Sequence, residues 1–303
     1  MPLPTPSASP LISPLISPVT RLILPGAAAA GHLRAFIARD GLGCRLEGSA
    51  ALNRFPASAH CTLTWFLEGG AELVECGGEH LQQPLVRCAV GGCQSAPLVS
   101  RNVGEVHAFI AMFHPDAFHA LFGVDLSALH NRFLDARVLL PASAQDMIAA
   151  VFAAASDAGR CRCVEDYIAA HGAALPAWTR LRRRGARLSL GLASRLLGLQ
   201  PRQLQRLALR QAGASLQTTL RLWRGERSFL RAQRAYLAGE RLDMADHALA
   251  NDYADQSHMV RDCKAQTGRT PLQLARDVQN EEADWVYRLE FPLDEDSPPT
   301  RSA

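Results

Sequence analysis

The chain has 303 residues, 48% of them hydrophobic and 20% charged, with a formal net charge of +3 and a mean hydropathy of −0.03. That length accommodates two domains of ordinary size, each with its own core, and no apolar run reaches the roughly eighteen residues that a membrane span requires. The net charge conceals an asymmetry: residues 180–279 hold nineteen Lys and Arg against eight Asp and Glu, a balance of +11, while residues 1–179 balance at −3 and residues 280–303 at −5. A segment of that sign attracts phosphate and gains affinity by releasing counterions; a solvated arginine-rich surface is the plainer alternative.

Residues 1–20 lack an early basic residue, and proline interrupts their apolar pairs, so they do not resemble a secretory signal. The LISP tandem from Leu11 to Pro18 reads as a disordered or extended arm. From residue 21 to about 110, short apolar runs alternate with turn residues: Leu33 to Ala38, Cys61 to Leu67, Ala71 to Cys76, Leu85 to Val90 and Val106 to Phe113, punctuated by Gly69-Gly70, Gly77-Gly78 and Gly91-Gly92. Such spacing predicts an antiparallel β-sandwich or barrel. Beyond Pro115 the spacing turns helical, over Asp116 to Phe122, Leu126 to Phe133, Ala144 to Ala155 and Val164 to Ala170. Residues 21–178 therefore read as one α+β domain, a β-barrel followed by a helical layer.

The eight cysteines, at 44, 61, 76, 88, 93, 161, 163 and 263, form no CxxC pair, and no histidine pair stands at zinc-finger spacing. Reduced thiols in a cytoplasmic protein are the expectation. A soft-metal or oxidant-sensing role for Cys161 and Cys163 is the alternative.

Residues 180–279 are helical throughout in pattern and contain two similar units. In the first, Leu188, Leu192, Leu196 and Leu197 make an apolar face, Gly198 supplies the turn, and Pro201 sits where a first helical residue is expected. The helix that follows should bury Leu204 and Leu207, leaving Arg202, Gln205, Arg206 and Arg210 outward. Arg pairs with guanine O6 and N7, and Gln with adenine N6 and N7, so this face suits major-groove reading. In the second unit Met244, Ala248 and Leu249 form the inner stripe, Asn251-Asp252 the turn, and Asp255 the N-cap of a helix from Gln256 to Gln266. Gln256, Ser257, His258 and Arg261 should project outward, and Met259 and Cys263 inward.

The segments LASRLLGLQPRQLQR, LRLWRGERSFLRA and YADQSHMVRDCKAQTGRTPLQL resemble the DNA-binding domain of the AraC/XylS family of bacterial transcription regulators, over Ala186 to Asp277. The resemblance implies two helix-turn-helix units, joined by a linker helix, that insert recognition helices into successive major grooves. On this sequence the base-facing positions fall at Arg202, Gln205 and Arg206, and at Gln256, Ser257, His258 and Arg261. Three positions depart from the family pattern: Asp252 in place of the usual turn glycine, Cys263 in place of a core phenylalanine, and Gly225 inside the linker helix. Aspartate tolerates the turn geometry, so that turn should survive; Cys263 gives up a core anchor and Gly225 costs about 1 kcal/mol relative to Ala, so the second unit is expected to be the less stable one.

Asn53 to Pro56, Thr62 to Gly69 and Val103 to Phe122 resemble the cupin-like sensor half found in some of these regulators. The histidines at 60, 80, 107 and 114 stand singly, so no metal site, cofactor or catalytic residue is expected. Trp65, Phe66, Phe109 and Phe113 are candidate lining for a small-molecule effector, with simple core packing as the alternative. Met147, Ile148, Val151 and Phe152 offer an apolar face for a homodimer implied by the family, or for packing on the barrel.

The expected organisation is an arm (1–20), a sensor and dimerisation domain (21–178), an all-α double helix-turn-helix domain (180–279) and an acidic tail (280–303). The expected function is sequence-specific transcription regulation without enzymatic activity. Its partners are double-stranded DNA, RNA polymerase, a small effector and a second copy of the chain, with no membrane involved; activation and repression both remain open. The alternative is a cupin-type small-molecule-binding protein or enzyme with an accessory nucleic-acid-binding domain. A DNA-repair role is disfavoured because no Pro-Cys-His-Arg reactive-cysteine sequence occurs.

Overall fold

The computed structural model describes residues 17–172, 198 and 200–293. The proline-rich arm as far as residue 16, and the first helix of the first unit with Leu188, Leu192, Leu196 and Leu197, lie outside the described residues. Two long antiparallel strands organise the N-terminal part, β4 (Cys61–Cys76) and β7 (Leu98–Phe113), paired along their whole length from Cys61 opposite Phe113 to Cys76 opposite Leu98. Each takes a different neighbour at each end. β2 (Leu33–Asp40) and then β1 (Val19–Ile23) extend the sheet from the C-terminal half of β7, and β3 (Leu52–Phe55) pairs with its start. β5 (Glu79–Pro84) pairs with the end of β4, while β6 (Cys88–Gly91) and β8 (Phe133–Asp135) continue from its start.

The apolar runs on either side of Gly69-Gly70 thus belong to one strand. Gly69 has φ +65°, the register slips beside it, and a Cβ there would collide with the carbonyl of Glu105. The glycine therefore bends β4 at a bulge, letting it serve both halves of the sheet, rather than ending it.

The two faces of the sheet separate by strict alternation. Phe36, Leu63, Trp65, Phe109, Ala111 and Phe113 face the helical layer and are fully or almost fully buried. That layer comprises α1 (Pro115–Phe122), the short α2 (Ala136–Leu139), α3 (Gln145–Ala153) and α4 (Asp157–His171). Residues 126–129 form a 3-10 turn, not the predicted helix to Phe133. Met147, Ile148 and Val151 of α3 join this core, and the Trp65 indole donates to the carbonyl of Ile148 at 3.3 Å. Their apolar face is spent on the sheet.

The C-terminal part holds α5 (Pro201–Ala212), the 22-residue α6 (Leu216–Leu237), α7 (Met244–Ala250), α8 (Gln256–Thr267) and α9 (Pro271–Val278). α5 ends at Gly213 in the left-handed conformation, and the Ser215 hydroxyl caps α6 by accepting from the amide of Thr218. The acidic segment from residue 280 begins with a 3-10 helix, Glu282–Arg288, and packs back on the opposite face of the sheet. There Trp285 and Leu289 join Ile37, Phe55, Ile110 and Met112, and the Trp285 indole donates to Asn53 Oδ1 at 2.8 Å. As far as Leu293 this segment is part of the folded body rather than a trailing tail.

No helix among the described residues is long and apolar enough to cross a membrane.

Candidate nucleic-acid interface and sensor cavity

α5 buries Leu204 and Ala208, with Leu207 half-buried, and leaves Arg202, Gln205, Arg206 and Arg210 exposed. Arg202, Gln205 and Arg206 make no hydrogen bond or ion pair among the described residues. Arg210 points toward the sensor domain, where its Nε lies 3.6 Å from a carboxylate oxygen of Asp125. α5 itself rests against α1 and the 126–129 turn. Gly198 has the left-handed backbone expected of the turn before it.

In the second unit Asp252 adopts φ +62°, the backbone that the sequence demanded of a glycine position. Aspartate tolerates this region better than most residues, and its carboxylate accepts from Arg227 at 2.7 Å. Asp255 caps α8 by accepting from the His258 amide at 2.7 Å. Gln256, Ser257 and Arg261 stand exposed on that helix. His258 is only half-exposed: its ring packs edge-on against Tyr253, and its Nδ1 accepts from the Ala254 amide, so it braces the start of α8 more than it projects from it. Leu249, expected in the inner stripe, is 62% exposed; His247 occupies that interior instead, its Nε2 beside the Ser228 carbonyl and hydroxyl. Burial, with Arg231 nearby, holds the His247 pKa below its ordinary value despite that carbonyl.

The arginines of α6 account for much of the basic surplus. Arg224 donates to Asp262 at 3.1 Å with its guanidinium over the Tyr253 ring, Arg227 bonds Asp252, and Arg231 bonds the Ala250 carbonyl and Asn251 Oδ1. These side chains, four or three residues apart on one helix, fasten the second unit to the linker rather than presenting charge to a ligand. Gly225 has a structural role in the same contact: a Cβ there would strike the side-chain amide of Gln266, which is buried and donates to the Arg221 carbonyl. Cys263 is half-buried beside Thr267 and the Arg269 carbonyl. The three departures from the family pattern are thus each accommodated by a specific partner.

On the sensor side a cavity of about 250 Å³ lies between the sheet and α6. It opens on the face carrying Thr62, Thr64, Phe66, Ile110 and Met112, and its far wall includes Leu222 and Phe229. Of the four aromatic candidates only Phe66 lines it. Trp65, Phe109 and Phe113 sit on the opposite face of the same strands and form the core: Phe109 lies 5.6 Å from Phe36 and 5.8 Å from Trp65, centroid to centroid. The period-two pattern contains this distinction, but aromatic content alone favours the wrong set. Among the described residues no group of three His, Cys, Asp or Glu is placed to hold a metal ion. All eight cysteines are free thiols, and burial pushes Cys88, Cys93 and Cys161 up to about 12.

A family model described as a helix-turn-helix domain matches residues 193–277. A search of curated proteins finds no match. Among solved structures, ToxT from Vibrio cholerae is similar at 10% identity, over 85% of this chain and 97% of that one, with a TM-score of 0.42. ToxT bound to an unsaturated fatty acid is similar at 10% identity over 85% and 94% of the two chains, TM-score 0.37. ToxT bound to (E)-4-(8-methylnaphthalen-1-yl)but-3-enoic acid is similar at 9% identity over 85% and 98%, TM-score 0.40.

Proposed function

We propose that the protein is a sequence-specific transcription regulator of the AraC type, built on the helix-turn-helix domain matched over residues 193–277, and that its α5 and α8 read successive major grooves. The observation that carries this reading is the pair of exposed polar faces, Arg202, Gln205 and Arg206 on one helix and Gln256, Ser257 and Arg261 on the other, held at fixed spacing by α6. Arg and Gln supply two-pronged contacts to guanine and adenine edges, and Ser257 can serve either base or phosphate. Double-stranded DNA is the partner, with RNA polymerase following from the regulatory role, and the cytoplasm is the compartment. In this reading the protein acts by binding rather than catalysis.

A cavity between the sensor sheet and α6 supports modulation by a small ligand. Its walls come from the sensor sheet and from α6, so a molecule within it touches both the sensing and the DNA-reading parts. The test is binding of the purified protein to DNA flanking its own gene, against a scrambled duplex, across a salt series. Preference for the native sequence, falling steeply with salt, is expected; equal binding to both duplexes overturns the reading.

A further inference from the structure

Resting on the reading of the cavity as an effector site, we infer that it takes an uncharged, largely apolar molecule with one hydrogen-bond donor, and that Glu282–Leu293 couples its occupancy to the second helix-turn-helix unit. The charged side chains among the described lining residues are already engaged. Arg39 donates to Thr20 and Glu282, both at 2.6 Å, with its guanidinium over the Trp285 ring; Glu105 accepts from the Gly43 amide; Glu226 accepts from Arg34. An ionic ligand that displaced Glu282 from Arg39 would leave the buried Arg39 guanidinium without its partner. The remaining lining is mostly apolar, and Gln94 adds one acceptor: its Nε2 donates to the Gly92 carbonyl, while its Oε1 is buried without a hydrogen-bond partner. A ligand N–H or O–H satisfies that oxygen.

The segment Glu282–Leu293 has two faces. One packs Trp285, Val286, Leu289 and Phe291 on the sheet, where they also line the cavity. The other is fixed to the DNA-reading part: Tyr287 packs with Phe229, Leu274 and Val278, Gln233 of α6 donates to the Tyr287 and Leu289 carbonyls, and Arg269 holds Asp284 by two bonds of 2.6 and 2.7 Å. Arg34 closes the far end on the Pro292 carbonyl at 2.7 Å. A molecule that presses on Trp285 therefore presses on α9 through residues one or two positions away.

The experiment uses the full chain and two fluorescent probes of one skeleton, uncharged N-phenyl-1-naphthylamine, which carries one N–H, and its sulfonated analogue 1-anilinonaphthalene-8-sulfonate, with hydrogen exchange read by mass spectrometry. The uncharged probe should bind at least roughly tenfold tighter than the sulfonate, and should slow exchange in the segment 282–293 and in α8 and α9. Equal or tighter binding of the sulfonate overturns the ligand class. Protection confined to the cavity strands, with α8 and α9 unchanged, overturns the coupling. If neither probe binds, the effector reading of the cavity fails and the ligand class with it; the coupling is then decided without probe. Glu282→Gln, mild enough to keep the fold, should speed exchange in α8 and α9 as well as in its own segment, as should Trp285→Ala. Acceleration restricted to residues 282–293 in both variants overturns it.

Discussion

Arg206 and Arg261 occupy corresponding exposed places on the two reading helices, and neither is held by a partner among the described residues. Replacing either with Ala should cost about 1–3 kcal/mol of DNA affinity and relax base preference at one position. Competition binding against single-base variants of the site checks this. A uniform loss across all variants would instead mark a phosphate contact. Gly225 and Gln266 offer a second test at this scale. Gly225→Ala gains about 1 kcal/mol of helix propensity but drives the buried Gln266 amide from its place, so a net loss of stability is expected. Adding Gln266→Ala should recover it, with a coupling of about 1 kcal/mol in a double-mutant cycle. The outward positions on α5 and α8 were legible because a period of 3.6 residues fixes a helix face once its buried positions are known. His258 and Leu249 were not: which way they turn depends on Tyr253 and His247, set by the packing of α6, a tertiary fact with no local signature.

Among the elements, α8 depends on its cap. Asp255→Ala removes the bond to the His258 amide and should cost about 1 kcal/mol, fraying the helix start that carries Gln256 and Ser257; urea melts with a matching fall in DNA affinity would register it. The α7–α8 unit should also be acid-sensitive through His247. Its folded pKa lies below the unfolded value, so the unfolded chain takes up the proton first. Stability is then complete above about pH 6.5 and declines as pH falls toward the lowered folded pKa. Thermal melts from pH 7.5 to 5 should show this decline, and His247→Gln should abolish it. At this scale the long helices and β2 were readable from periodicity. β1, β3, β5 and β8 were not, since edge and end strands of three to six residues bury too little to impose alternation. The glycine pair in β4 misled because a bulge and a turn make the same local demand on φ.

At the scale of the whole molecule, the charge of residues 180–279 overstates what DNA meets. Arg224 and Arg227 are paired to carboxylates of the second unit, and Arg231 to its backbone and Asn251. The salt dependence of binding should therefore reflect only the exposed cations. The slope of log affinity against log salt is expected well below that for the segment's full +11. A titration from low to moderate salt measures it. The change from a sheet-forming first part to a helical last part was legible from the spacing of apolar residues, but the bond between them was not: an acidic segment carries Trp285 back to Asn53, 232 residues earlier. That return has a consequence for how the chain folds. Ile37, Phe55, Ile110 and Met112 are synthesised long before the tryptophan that covers them, so one side of the finished sheet stays wet until synthesis has passed residue 285. Closure over so large a sequence separation is intrinsically slow. The nascent sensor therefore passes through a period in which its own unfinished surface is its main aggregation hazard.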